Sequence, residues 1–142
     1  MNTVTIKNGE LSIIKNFLNG IKVRGKASRG RSKLLKLLAK KEQELNDDIN
    51  DVRKPYLLLG DNGEPLIEDN NVKFKNEEAR EKVTADIIEL FDEKAVIDIT
   101  EYHDKLHALY DALNEYEYDL SGDDANAYDL LLDELEKIKE EK

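Results

Sequence analysis

Leu34, Leu38, Leu45, Ile49, Val52 and Tyr56 recur at intervals of three, four and seven residues, the period of one face of an α-helix. The stripe predicts a long helix from about Ala27 to Lys54, with Ser28 as its N-cap and Pro55 as the residue that kinks or ends it. Lys41 falls where the stripe calls for an apolar group. The seam is therefore broken, and a helical hairpin is expected rather than a long coiled coil.

The other elements follow from shorter signals. Thr3 to Ile6 alternate polar and apolar, as a half-buried strand does, and Leu11, Ile14, Phe17 and Leu18 then fall at helical spacing up to the Asn19-Gly20 stop. Ile21-Lys22-Val23 reads as a second short strand. The turn signals Asp61-Asn62-Gly63 and Asp69-Asn70-Asn71 flank short apolar runs, so residues 55–75 form a hairpin or an ordered loop. Asn76-Glu77-Glu78 caps a helix over 76–93 that carries Ala79, Val83, Ile87, Ile88 and Phe91. Ala95 to Ile99 reads as a buried strand, and Thr100 as the cap of a helix over 101–118 with Leu106, Leu109, Tyr110 and Leu113 inside. A last helix over 124–140 carries Tyr128, Leu131, Leu135 and Ile138. The expected fold is α+β and predominantly helical: one long helix packed with three further helices and a small short-stranded sheet or hairpin. With 142 residues and no internal repeat or low-complexity linker, a single domain over 1–142 is expected.

Charge is distributed unevenly along this framework. Residues 1–41 hold eleven Lys and Arg against one acid, Glu10, and residues 42–142 hold eleven against thirty-one, so the two parts carry +10 and −20 and sum to −10. Segregation on that scale implies a charged partner, internal or external. Within the basic segment 22–41 there are nine bases and no acid. Cations oppose the macrodipole at a helix N-terminus, so helix formation does not account for Arg29, Arg31 and Lys33. Arg24, Lys26, Ser28, Arg29, Arg31 and Lys33 are therefore the expected partner- or polyanion-binding surface. Gly25 and Gly30 would admit a close backbone approach, and free amides at a helix start suit phosphate, which makes nucleic-acid backbone a coherent ligand. No aromatic lies near the patch in sequence, so base stacking and sequence-specific reading have no support. The plainer alternative is pairing with the chain's own acidic half 76–142, within one chain or across a homo-oligomer.

The acidic helices read first as a solvated face. A sharper reading is mimicry of a nucleic-acid backbone, which the embedded basic segment opposes. His103 and His107 stand four residues apart on one predicted helix face near Glu101, Asp104 and Asp111. That spacing suits a divalent metal, but Asp104 stands where a zinc protease needs glutamate and no third ligand is indicated, so no metal and no cofactor is expected. Gly60-Asp61-Asn62-Gly63 is a turn rather than a phosphate loop, and no Gly-x-Ser-x-Gly element occurs. The chain is read as a non-enzyme. Cysteine is absent, which removes disulfides, thiolate zinc sites and cysteine nucleophiles. The longest apolar stretches, such as Leu57-Leu58-Leu59, are too short for a bilayer, and Met1 to Lys7 has no signal-peptide run, so a soluble intracellular protein with no membrane partner is expected.

The order of these features is itself informative. A short strand and helix, Gly25-Lys26-Ala27-Ser28-Arg29-Gly30-Arg31-Ser32-Lys33, a charged helix ending Val52-Arg53-Lys54-Pro55-Tyr56, the Asp61-Asn62-Gly63-Glu64-Pro65 turn and Val96-Ile97-Asp98-Ile99-Thr100-Glu101-Tyr102 resemble an uncharacterised family of small proteins from phages and prophages of Gram-positive bacteria. Pro55 departs from the family's pattern. The resemblance implies a viral origin and the cytoplasm of a bacterial host, and it brings no activity or catalytic residues. For a small acidic phage protein two roles follow. One is a binding inhibitor of a host nucleic-acid-handling or defence system, with a host protein as partner. The other is an assembly or structural accessory that binds phage proteins. Non-specific nucleic-acid binding through 22–41 is the third reading.

Overall fold

The computed structural model describes residues 2–140, with side chains through Ile138. Met1, Glu141 and Lys142, which the single-domain and acidic-half expectations include, lie outside the described residues. The helices are α1 (Leu11–Gly20), α2 (Gly25–Arg53), α3 (Glu77–Asp92), α4 (His103–Asn114) and α5 (Gly122–Glu140), and the strands are β1 (Thr3–Lys7), β2 (Ile67–Glu68), β3 (Asn71–Val72) and β4 (Lys94–Asp98). The fold is the predominantly helical α+β class expected.

The core is built by helix faces closing over one face of a two-stranded sheet. β1 and β4 pair antiparallel with Val4 opposite Ile97 and Ile6 opposite Ala95, and those four side chains point inward. Leu11, Ile14, Phe17 and Leu18 of α1, Leu34 and Leu38 of α2, Leu106, Leu109 and Leu113 of α4, and Leu131 and Leu135 of α5 complete one cluster with them. Phe17 meets Tyr128 edge to face, with ring centroids 6.0 Å apart, a geometry that aromatic quadrupoles favour. The Tyr128 hydroxyl donates at 2.6 Å to the Leu113 carbonyl, which also accepts from Tyr116 N–H at 3.1 Å, so α5 is tied to the end of α4.

α2 spans about 43 Å at 1.5 Å per residue and packs against α1, α3 and α4. It ends at Arg53, where Pro55 enters the 3-10 turn Lys54–Tyr56. Its start differs from the expectation. Arg24 is the N-cap, without a side-chain bond, and Gly25 turns the chain at φ +63°, so Ser28 lies inside the first turns and caps nothing. The helix begins early because Ala27 and Gly30 are buried along with Leu34, Leu38 and Leu45: the packed stripe starts with two small residues. Ile21-Lys22-Val23 forms no strand. It is an extended connector held by burial of Ile21 and by the Lys22 N–H, which donates to the Tyr116 hydroxyl at 3.3 Å.

Residues 57–74 form the expected hairpin. Asp69 and Asn70, at φ +53° and +66°, make the two-residue turn between β2 and β3, a conformation these side chains tolerate. Leu58 N–H donates to Lys73, Lys73 N–H to Leu66 and Leu66 N–H to Leu58, a closed ring of three backbone bonds. Leu58, Leu59, Leu66 and Ile67 remain exposed on this arm.

α3 is capped as predicted, the Asn76 side chain accepting from Ala79 N–H at 2.7 Å. It buries Ala79 and Val83 but leaves Ile88 and Phe91 exposed. β4 is buried on one face only, since Val96 is 53% exposed, which corrects the expectation of a buried strand. Thr100 does not cap α4, whose N-cap is Tyr102 without a side-chain bond; instead the Asp98 Oδ1 accepts from Thr100 N–H at 2.9 Å and from its hydroxyl at 2.6 Å. α4 stops at Asn114, short of the expected 118, because Tyr116 and Leu120 leave the helix to pack on the core.

The two Thr100 donors hold the Asp98 carboxyl below its usual 3.8. A folded pKa below the unfolded one contributes stability that is present above about pH 4 and lost as pH falls through the lowered value. The melting temperature of Asp98→Asn, which keeps an acceptor oxygen, is therefore expected to fall less steeply than that of the wild type between about pH 4 and pH 2. Parallel acid melting curves for the two proteins would contradict this.

Candidate functional site: a basic groove at the start of the long helix

Gly25, Ser28, Arg29, Ser32 and Lys33 are spaced by three, four, seven and eight residues from the helix start, which sets them on one face of α2. Opposite stand Glu101, Tyr102 and Lys105, from the 3-10 turn Thr100–Tyr102 and the first turn of α4. Together they line an open groove of about 800 Å³. Three bases face one acid in it.

What sets the two walls at this spacing is Gly30. A Cβ added there would stand 2.3 Å from the Lys105 carbonyl oxygen and 3.3 Å from Leu109 Cβ. Only a glycine lets α2 and α4 touch through their backbones here. The sequence-based reading of Gly30 as an approach for phosphate is thus corrected: Gly30 is consumed by the helix contact. Gly25, by contrast, has nothing within 4 Å of the same added atom and sits at positive φ.

The six expected site residues separate. Ser28, Arg29 and Lys33 line the groove. Arg24 and Lys26 are exposed beside Gly25 at the helix start. Arg31 does not line the groove: its Nη1 donates to the Leu18 carbonyl at 3.1 Å, closing the C-terminal end of α1, where a cation and a donor are both favourable. Lys33 Nζ lies 5.4 Å from the centre of the Tyr102 ring, within cation–π range. An aromatic therefore does stand beside the basic patch, brought there by the fold. Lys105 was missed as well, although it is the one Lys or Arg between residues 95 and 136, and a lone base in an acidic stretch is a usable signal.

Among the described residues the ion pairs made by the first 41 residues are Lys15 with Glu42 at 2.9 Å and Lys41 with Glu44 at 3.3 Å. Arg24, Lys26, Arg29, Lys33 and Lys105 make none. Both pairs reach only Glu42 and Glu44 at the border of the basic segment, and among the described residues none joins 22–41 to the acidic half 76–142. The α2 N-terminus has no acid in its first turn and no capping side chain, so its leading amides add to the positive field.

A family model described as protein of unknown function (DUF1617) matches residues 2–142. The chain belongs to this family. No curated protein and no solved structure matches it. The family description carries no activity, so chemistry has to be read from the side chains.

His103 and His107 have ring centroids 6.3 Å apart, and each Nδ1 faces a carboxylate, Asp104 at 3.5 Å and Asp111 at 3.6 Å. Among the described residues no three His, Cys, Asp or Glu are grouped to hold a metal ion, and no described helix is long and apolar enough to cross a membrane. Thr5, Glu10, Asp133, Glu134, Glu136 and Lys137 line a second, acidic depression between β1 and α5. There the Glu134 carboxylate accepts from Lys137 at 2.6 Å and from Thr5 N–H at 2.8 Å, so it serves the fold.

Proposed function

We propose that this chain is a non-enzymatic, phage-encoded binding protein that acts in the bacterial cytoplasm by charge-mediated contact through the α2–α4 groove. The partner presents a row of anionic groups to Arg29, Lys33 and Lys105, with Arg24, Lys26 and the α2 amides extending the contact. The observation that carries this reading is the absence of any ion pair on those five bases, among the described residues, in a chain of net charge −10. With acids in such excess, bases held together and unpaired are better explained by an external anion than by the fold. Inhibition of a host nucleic-acid-handling or defence system is the role that fits a partner of that kind. Non-catalytic action is the reading of the sequence, in which neither a phosphate loop nor a Gly-x-Ser-x-Gly element occurs.

The test is the triple reversal Arg29→Glu, Lys33→Glu, Lys105→Glu, which leaves Arg31 and Gly30 untouched. Affinity for the partner captured from phage-infected host lysate is expected to fall about ten- to a hundredfold, with the melting temperature kept within a few degrees. Duplex DNA titrated across salt concentrations separates the two anion sources. A nucleic-acid backbone gives a log–log slope of about −0.9 per phosphate neutralised, so about −2.7 for three bases, and an acidic protein surface gives no such DNA binding. A triple variant that keeps wild-type partner capture and DNA binding would remove the groove from function.

A second reading, an assembly accessory that docks on phage proteins, is favoured by one feature, the arm at 57–74 with Leu58, Leu59, Leu66 and Ile67 exposed. Replacing Leu59 and Ile67 by Ser would then abolish capture of phage proteins while groove-dependent binding persists.

A further inference from the structure

The two edges of the β1–β4 sheet are treated differently. The Ile99 N–H donates to Asn2 and the Asn8 N–H to Glu93, and the antiparallel register joins each pair in one ladder. Ladder bonds alternate along an antiparallel strand, so the N–H and C=O groups of Lys94, Val96 and Asp98 point away from β1. On β1 the matching outward donor, Thr5 N–H, is taken by Glu134 Oε1 at 2.8 Å. Among the described residues no hydrogen bond reaches the outward backbone groups of β4, only β1 contacts it extensively, and Val96 is 53% exposed. A bare edge is a template for another strand.

The side chains on this edge say which strand. Lys94 and Asp98 are equally spaced about Val96, so a copy of β4 laid antiparallel with Val96 opposite Val96 sets Lys94 of each chain against Asp98 of the other. The same register makes Val96–Val96 and both Lys94–Asp98 pairs hydrogen-bonded pairs, because all three residues direct their backbone groups outward. Within one chain Lys94 stands directly opposite Lys7, a like-charge cross-strand pair that is unfavourable alone and that a carboxylate on the other flank relieves. Asp98 holds Thr100 with Oδ1 only, which leaves its second oxygen to accept from lysine.

We propose that β4 pairs with β4 of a second copy about Val96, joining two sheets into one of order β1-β4-β4-β1. The contact is isologous and closes on itself. Since Glu134 covers the far edge of each β1, the sheet stops at two chains and does not run on as a fibre. A five-residue strand pair is small beside a standard interface of about 1,600 Å², so the dimer is expected at micromolar rather than nanomolar strength.

Sedimentation equilibrium on the wild-type protein up to about 100 μM is expected to show a monomer–dimer equilibrium and nothing larger. Lys94→Glu sets like charges at both ends of the pairing, and is expected to raise the dissociation constant about tenfold or more. Because it also removes the Lys7–Lys94 repulsion, the melting temperature measured on dilute monomer is expected to hold or rise, which a folding defect would not produce. Val96→Pro removes the outward donor and spares the β1 ladder, a position where an edge strand tolerates proline. It too is expected to be monomeric. Lys94→Glu mixed with Asp98→Lys restores two opposite-charge pairs and is expected to give heterodimer where neither variant self-associates. A wild type that is monomeric at that concentration overturns the proposal, and so does a dimer that Lys94→Glu leaves unchanged. Should the proline variant or Asp98→Lys fail to fold, Lys94→Glu alone decides.

Discussion

Gly30→Leu is expected to leave the chain without its native tertiary structure, and Gly30→Ala to lower the melting temperature by about 8 °C. The added Cβ would stand 2.3 Å from the carbonyl oxygen and 2.9 Å from the carbonyl carbon of Lys105, and a backbone group in the first turns of a packed helix cannot swing aside as a side chain can. Separating α2 from α4 far enough for one methyl group costs about 3 kcal/mol, the upper end of the range for overpacking. Alanine regains about 1 kcal/mol through helix propensity, which leaves a net loss of about 2 kcal/mol. At about 4 °C per kcal/mol for a domain of this size, that is the stated shift. For leucine the rest of the side chain has to enter the same closed contact, and the helices must part. Gly20→Ala is the control: nothing lies within 4 Å of its added atom, so its melting temperature should hold or rise slightly. Circular dichroism melts of the three variants decide the matter, and a Gly30→Ala protein that melts at or above the wild type would show that the helices do not meet as described.

Leu109→Ala is expected to cost about 3–4 kcal/mol, or about 12–16 °C of melting temperature. Leu109 is fully buried, belongs to the main cluster and lies against the Gly30 contact. Two rigid helix backbones already touch beside it, so the space left by the removed atoms cannot collapse, and the loss falls toward the larger values seen for leucine truncation. Leu109→Met, which nearly conserves volume, should cost less than about 1.5 kcal/mol. Urea unfolding of the pair would separate the two costs. Equal losses would mean that the site responds to shape rather than to emptied volume.

The elements easiest to read in the sequence were those whose large apolar residues do the packing. Leu106, Leu109, Tyr110 and Leu113 mark the inner face of α4 without ambiguity, and Leu131, Leu135 and Ile138 do the same for α5. The start of α2 was hidden because Ala27 and Gly30 fill its face, and small residues carry no hydrophobic period. Val96 was placed in a buried strand because Ala95 to Ile99 is an almost continuous apolar run, and such a run does not reveal which alternate residues lose a neighbour. The groove was half legible. Arg29 and Lys33 could be found as members of a basic run without acids, but Tyr102 and Lys105 reach them only through the crossing of α2 and α4. Arg31 looked like its neighbours until the fold showed that its head group ends α1. Nothing local separates a lysine or arginine that seeks a partner from one that closes a helix.

The pairing of β1 with β4, and of Thr5 with Glu134, sets an order of events during synthesis. Glu134 follows Thr5 by 129 residues, so at about 5–20 residues per second the ribosome needs roughly 6–26 s to deliver the residue that finishes the first strand. Throughout that interval Phe17 and the rest of the inner face of α1 lack the Tyr128 ring and the α5 surface that cover them in the finished fold. β1 and α1 thus precede by more than a hundred residues the helix that encloses them. A ribosome that stalls before α5 would hold a chain with an exposed apolar face, open to whatever chaperone or protease arrives first.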